Sequence, residues 1–315
     1  MWLQSKIIFK ILLGLLLLSF KSMGEEQKTV LVDDILINYT DATIFGVVEG
    51  VTEFLPISST GHLILTKEIM LDSAELSKVK QEAVNAYLIV IQAGAIIAVA
   101  LLYAKRILAI LLGFCGLDPV GKKLGLNLLA AFAPAVVLGP LLDDWIENIL
   151  FGPIPVSIAL ICGAFLMHWA EKRKRKLDVL GGYQGKSVEE MNLKDAFFIG
   201  VLQCVAMCPG TSRSMMTIVG GYFVGLTRRH SAEFSFLLGL VTLTAAAGYK
   251  ALTKGSELVQ HLHLGPMLFG CLIAGVSAAF SVRWLVGYLS RHGLTLFVWY
   301  RLILGLVILL YFIGS

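Results

Sequence analysis

From about residue 44 onward, two kinds of apolar stretch take turns along the chain. Six runs, roughly 84–104, 124–142, 149–170, 232–249, 264–289 and 294–314, each carry at most one charged residue. Each is about long enough to cross a ~30 Å hydrocarbon layer as a helix. Two other stretches, roughly 44–70 and 196–226, are only weakly apolar and hold Glu, Ser, Thr, His and Arg. None shows the short apolar/polar alternation of barrel strands, and in lipid every backbone polar group must be paired within the structure. The pattern predicts an all-α integral membrane protein in two halves, each a weakly apolar segment followed by three spans.

The halves also match in sequence. When residues 45–60 are laid on residues 199–214 without a gap, Gly46, Val47, Val51 and Ser58 fall on Gly200, Val201, Val205 and Ser212. Both segments end in a Pro and a small, hydroxyl-rich tip. The first repeat then covers 42–170 and the second 195–314, with a basic connection at 171–194 between them. Internal repeats are common in membrane proteins whose site lies at the repeat interface.

Charge orients this scheme, because cytoplasmic connections hold excess Lys and Arg. Lys105, Arg106, Lys122 and Lys123 place the first inter-span connection inside, and Asp143, Asp144 and Glu147 fall in the next, outside. Lys172, Arg173, Lys174, Arg175 and Lys176 mark the third as inside, and Arg228 and Arg229 follow the second weak segment directly. That segment must enter and leave on the cytoplasmic face. The first must do the same on the outer face. Both are expected to be re-entrant hairpins, which makes the halves inverted relative to each other. Ahead of them, Lys6 and Lys10 precede an apolar run at 11–20, so residues 1–24 read as a signal peptide or an uncleaved anchor.

Composition agrees with a membrane bundle: 57% of residues are hydrophobic and 15% charged, a surplus of apolar surface that must face lipid. The net charge of +4 resides in the connections, which speaks to topology and not to nucleic acid. Cys115, Cys162, Cys204, Cys208 and Cys271 lie in or beside apolar segments without metal-ligand spacing, and read as small core residues.

The candidate chemistry sits in the two weak segments. Each breaks at a Pro, which removes a helical N–H and disfavours helix just before it. Irregular backbone at membrane depth is tolerated only where it is buried in protein or lines a wet cavity, and the half-helix that follows points a positively biased N-terminus into it. Glu49 and Glu53 are one helical turn apart, and two ionisable groups on one face in a membrane segment suggest function. Such a pair can hold Mg²⁺ or Ca²⁺ or act as a general base. The tip adds Ser58, Ser59, Thr60 and His62, where helix capping competes with a Ser/His nucleophile and base arrangement. The second tip adds Ser212, Arg213, Ser214 and Thr217, with an Arg that forks onto phosphate oxygens. Carboxylates, hydroxyls, an imidazole and an Arg together describe phosphoryl transfer. A lipid transporter built on inverted hairpins stays open at this point.

The runs V-E-G-V-T-E-F-L-P-I-S-S-T-G-H-L and P-G-T-S-R-S-M-M-T resemble the two signature motifs of the undecaprenyl-diphosphate phosphatase family, the bacitracin-resistance type. The resemblance continues through Ile91, Gln92, Ala93 and Gly94, through residues 134–139, and through Gln203, residues 233–238, Tyr300 and Arg301. It covers about residues 42–314. It implies hydrolysis of undecaprenyl diphosphate to the monophosphate with a divalent metal, Mg²⁺ or Ca²⁺, in the bacterial inner membrane with a site open to the outer side. The products serve peptidoglycan synthesis and the activity confers bacitracin resistance. It also implies catalytic roles for Glu49, Glu53, Ser59, His62 and Arg213, with Glu49 and Glu53 on the metal. Substrate contacts would come from Ser58, Thr60, Ser212, Ser214, Thr217 and Gln203. The partners implied are the polyprenyl diphosphate lipid and the membrane; a homodimer is compatible with the pattern. Met215 and Met216 stand where the family has small residues, Leu88 where it has an acidic one, and an aromatic is missing near Cys208.

Overall fold

The computed structural model describes residues 37–71, 78–179, 185–260 and 263–314. The expectation for residues 1–24 falls outside them. Eleven helices follow in order among the described residues: α1 (Tyr39–Thr52), α2 (Ser59–Leu71), α3 (Lys78–Leu102), α4 (Ala104–Phe114), α5 (Pro119–Leu150), α6 (Pro153–Val179), α7 (Leu193–Val205), α8 (Arg213–Phe223), α9 (Arg228–Gln260), α10 (Leu264–His292) and α11 (Thr295–Gly314). Six of them, α3, α5, α6, α9, α10 and α11, contain stretches long and apolar enough to cross a membrane, matching the six apolar runs. Their outward faces remain apolar: Phe165, Leu252, Phe280 and Leu310 are all exposed, as a lipid-facing surface requires. The structure adds α4, an amphipathic helix where the sequence suggested only a basic connection.

The two weakly apolar segments are helix–break–helix units, α1–α2 and α7–α8. Each opens on a capping box: Asn38 and Asp41 exchange side-chain and backbone bonds at α1, and Asn192 and Asp195 do so at α7. Each breaks around its Pro, over residues 53–58 and 206–212. The only described non-glycine residues with positive φ are Ser58 (71°) and Ser212 (74°), the very pair aligned between the halves. Such backbone costs on the order of 1–3 kcal/mol and persists only where the surroundings enforce it. Both serines then do the same local work. Ser58 Oγ accepts from the Gly61 N–H at 3.4 Å and Ser212 Oγ from the Met215 N–H at 3.3 Å, each three residues on.

Packing shows the same exchange between halves. The first helix of each unit lies against the second span of the other half's set: α1 on α10, and α7 on α5. Third spans α6 and α11 pair with each other, as do first spans α3 and α9. These pairings are consistent with two interlocked inverted repeats. The aligned glycines explain the close approach, since a Cβ at Gly46 would stand 2.8 Å from the Gly270 carbonyl and one at Gly200 would collide with the Ala131 carbonyl. Around the breaks the core is apolar, with Phe54, Ile57, Met215, Met216 and Phe236 in one buried cluster. Met215 and Met216 therefore serve as core, and Leu88 packs with Phe45 and Tyr87.

Candidate active site

The breaks bring the two halves together at one carboxylate. Glu53 caps the end of α1, is buried, and uses both oxygens: Oε2 accepts the Ser59 hydroxyl at 2.6 Å and Oε1 accepts Arg213 Nη2 at 3.2 Å. Ser59 is the first residue of α2 and Arg213 the first of α8. Both half-helix N-termini thus point their functional side chains at the same group, 160 residues apart in sequence across the Glu53–Arg213 pair. Charge-assisted bonds of this kind are about twice as strong as neutral ones. The Arg213 guanidinium also donates to the Ser235 carbonyl at 3.2 Å and lies 5.1 Å over the Phe54 ring. Gly239 on α9 leaves the room it needs, for a Cβ there would collide with the guanidinium.

Glu49, one turn before Glu53, is fully buried, and neither of its carboxylate oxygens has a hydrogen-bond partner. A carboxylate solvated at the membrane surface would not look like this. Its two unpartnered oxygens are free to act as ligands. The donor chemistry suits a hard divalent cation: two carboxylates one turn apart, with hydroxyls at the adjoining tip. No group of three or more His, Cys, Asp and Glu is assembled among the described residues, and Mg²⁺ commonly takes one or two carboxylates with substrate phosphates completing its shell. Glu49 and Glu53 fit that part.

His62 is turned away from Ser59. Its Nδ1–H donates to the Ser58 carbonyl at 2.7 Å, which leaves Nε2 to accept the Tyr300 hydroxyl at 2.6 Å. The rings of His62 and Tyr300 are nearly parallel, 5.5 Å apart. A carboxylate is the stronger acceptor for the serine, so the Ser59 partner is Glu53 and not the imidazole. Among the remaining hydroxyls, Ser214 donates to the Leu55 carbonyl across the breaks at 2.7 Å, and also lies 3.1 Å from Ser212. Thr217 bonds back to Arg213 and reaches Ser235 at 2.6 Å. Thr60 is half-buried beside Ser59. Gln203 faces a different neighbour, accepting from Thr242 at 3.2 Å.

Sequence reasoning did not single out Arg301 or Tyr300 as site residues. Arg301 on α11 is fully buried and donates to Pro56 O at 3.4 Å, Gly210 O at 3.1 Å and Ala159 O at 3.2 Å. One guanidinium therefore ties the freed carbonyls of both breaks. The signal was present, since an Arg in the middle of an apolar span is costly unless it has buried partners.

Fold and site together define a polytopic helical membrane protein with a carboxylate, hydroxyl and arginine centre where two broken helices meet. The model of the family described as bacitracin resistance protein BacA matches residues 42–307. The chain is 44% identical over 87% of its length to undecaprenyl-diphosphatase 2 of Rhodospirillum rubrum, spanning 95% of that protein. It is 40% identical to the undecaprenyl-diphosphatase of Acinetobacter baumannii, over 85% of this chain and 94% of that one. With that of Ectopseudomonas mendocina the identity is 42%, over 85% and 92%. The chain belongs to the BacA family of bacitracin resistance proteins.

Proposed function

We propose that this protein hydrolyses undecaprenyl diphosphate to undecaprenyl phosphate and inorganic phosphate, returning the carrier lipid to the synthesis of peptidoglycan and giving resistance to bacitracin. The observation that carries the reading is the Ser59–Glu53–Arg213 junction at two converging helix N-termini. Transport of a lipid would need the broken helices but has no use for a serine held by a buried carboxylate.

In this reading Glu53 takes the proton of Ser59 as its Oγ attacks the terminal phosphorus. The new Ser59 O–P bond replaces the P–O bond to the lipid monophosphate, which leaves. Glu53 passes that proton to the departing lipid phosphate, then takes a proton from the water that attacks the phosphoserine and returns it to Ser59 Oγ as inorganic phosphate departs. Arg213 and the N-termini of α2 and α8 hold the phosphate oxygens. Serines 58 and 212 fix the first turns of those helices. His62, paired with Tyr300, orients the tip around Ser59. Glu49 and Glu53 would hold Mg²⁺ or Ca²⁺, whose chemistry is to neutralise phosphate charge. The charge pattern of the connections supports an inner-membrane orientation with this site facing outward.

Phosphate release from a long-chain polyprenyl diphosphate by the purified protein tests the proposal. Wild type should turn over, chelator should stop it, and Ser59→Ala should fall at least about a thousandfold, as removal of a nucleophile does. Unchanged turnover in Ser59→Ala overturns Ser59 as the attacking group; no phosphate release by wild type in the presence of either metal overturns the function.

A further inference from the structure

Away from the hairpin junction, a cavity of about 720 Å³ opens between the start of α5 and the start of α7. Its rim carries three lysines, Lys122, Lys123 and Lys194, with Asn127 among its lining residues. Below it a second hollow of about 440 Å³ shares Leu193 and Lys194 with the first and runs down α7 past Phe197 and Val201, which are exposed on the outside of the bundle. The cleft is thus basic at one end and apolar along the rest. That order of chemistries is the order of a phospholipid, headgroup first and acyl chains after.

Two details narrow the occupant. The N-terminus of α7 is already satisfied by its own capping box, and Asp195 is paired with Lys186 at 3.0 Å. Attraction for an anion therefore rests on the lysines. Lys123 spends one proton on the Glu189 carbonyl at 2.6 Å, while the ammonium groups of Lys122 and Lys194 stand at the exposed rim. The second detail is Asn127, which is 1% exposed. Its Nδ2 donates to the Met191 carbonyl at 3.1 Å, which fixes the amide's orientation, and its Oδ1 is buried without a hydrogen-bond partner. A buried acceptor left unmade costs about 1–3 kcal/mol. Asn127 lines the cleft, so a small shift of its side chain would offer this oxygen to a donor held there.

We propose that this cleft is a binding site for an anionic glycerophospholipid whose headgroup bears a hydroxyl, of the phosphatidylglycerol type. The phosphodiester sits among the lysines, the headgroup hydroxyl donates to Asn127 Oδ1, and an acyl chain lies along Phe197 and Val201. A zwitterionic headgroup with a primary amine would supply a donor, and phosphatidylcholine none, but neither has the net negative charge that three lysines call for. Basic pockets between membrane helices are a recurring form of lipid recognition. Here the pocket bridges α5 of the first half to α7 of the second, so the lipid would brace the contact on which the second hairpin is built.

Native mass spectrometry of the purified full-length protein in mixed micelles tests this. Wild type should retain phosphatidylglycerol over phosphatidylcholine by about tenfold, as three charge contacts allow. It should also retain it several-fold over phosphatidylmethanol, which has the same charge and no hydroxyl. The double variant Lys122→Gln/Lys194→Gln should lose the preference for the anion, whereas Lys172→Gln/Lys176→Gln, the same charge change on exposed positions outside the cleft, should keep it. Both variants alter exposed side chains and leave the core intact. Equal loss in the two double variants would mean general charge attraction and overturn the site. Equal retention of phosphatidylglycerol and phosphatidylmethanol would overturn the hydroxyl contact with Asn127. Displacement of phosphatidylglycerol by an equal amount of long-chain polyprenyl phosphate would assign the cleft to the carrier lipid instead, which also contradicts the proposal.

Discussion

Glu53 holds both Ser59 and Arg213, so the geometry of a single buried carboxylate sets the reach of the serine and of the arginine. The room for Arg213 is set in turn by Gly239, where the three atoms nearest an added methyl group all belong to the guanidinium. Because the end of a long side chain can yield, Gly239→Ala should leave the melting temperature within a few degrees of wild type while cutting kcat at least about tenfold, as small displacements of a positioning group do. Thermal unfolding alongside phosphate release checks this; a variant with wild-type kcat would remove Arg213 from the chemistry. At this scale the motif residues could be read from the sequence, but their partners could not. Ser59 and His62 lie three residues apart and invited pairing with each other. The structure turns His62 instead to Tyr300, 238 residues away, a contact that only the assembled bundle creates.

Helices were easier to read than the ties between them. Six apolar runs announced six spans because lipid leaves few other ways to satisfy a backbone, and the Pro at each hydroxyl-rich tip foretold two matching breaks. The amphipathic helix α4 was missed since its Lys105 and Arg106 look like any basic connection. Arg106 in fact joins Glu233 on α9 at 2.6 Å and Glu189 before α7 at 2.7 Å. The tie with most consequence is Arg301, which spans both breaks from α11. Lysine cannot reproduce a planar fork serving three carbonyls, so Arg301→Lys should lower kcat by about tenfold or more with a smaller change in KM, the mark of misaligned groups rather than lost binding. If kcat holds and only KM rises, Arg301 acts as a remote charge on the substrate and not as a brace.

For the molecule as a whole, the halves interlock so that neither hairpin has a complete site alone. Glu49 is buried there with neither carboxylate oxygen hydrogen-bonded, and the proposed metal role is tested at that position. Glu49→Gln should raise the metal concentration for half-maximal rate by about tenfold or more, since amide oxygens are weaker ligands for a hard cation; a titration of rate against Mg²⁺ or Ca²⁺ reads it directly, and an unchanged midpoint would take Glu49 off the metal. The most direct test of a single site built by two hairpins is a double-mutant cycle on phosphate release with Glu53→Asp, Arg213→Lys and the double variant. Residues in contact couple by about 0.5–3 kcal/mol, so the combined loss in kcat/KM should fall short of the product of the single losses by about tenfold, corresponding to roughly 1.4 kcal/mol of coupling. Single losses that simply multiply would mean that Glu53 and Arg213 act independently, and would contradict the shared site.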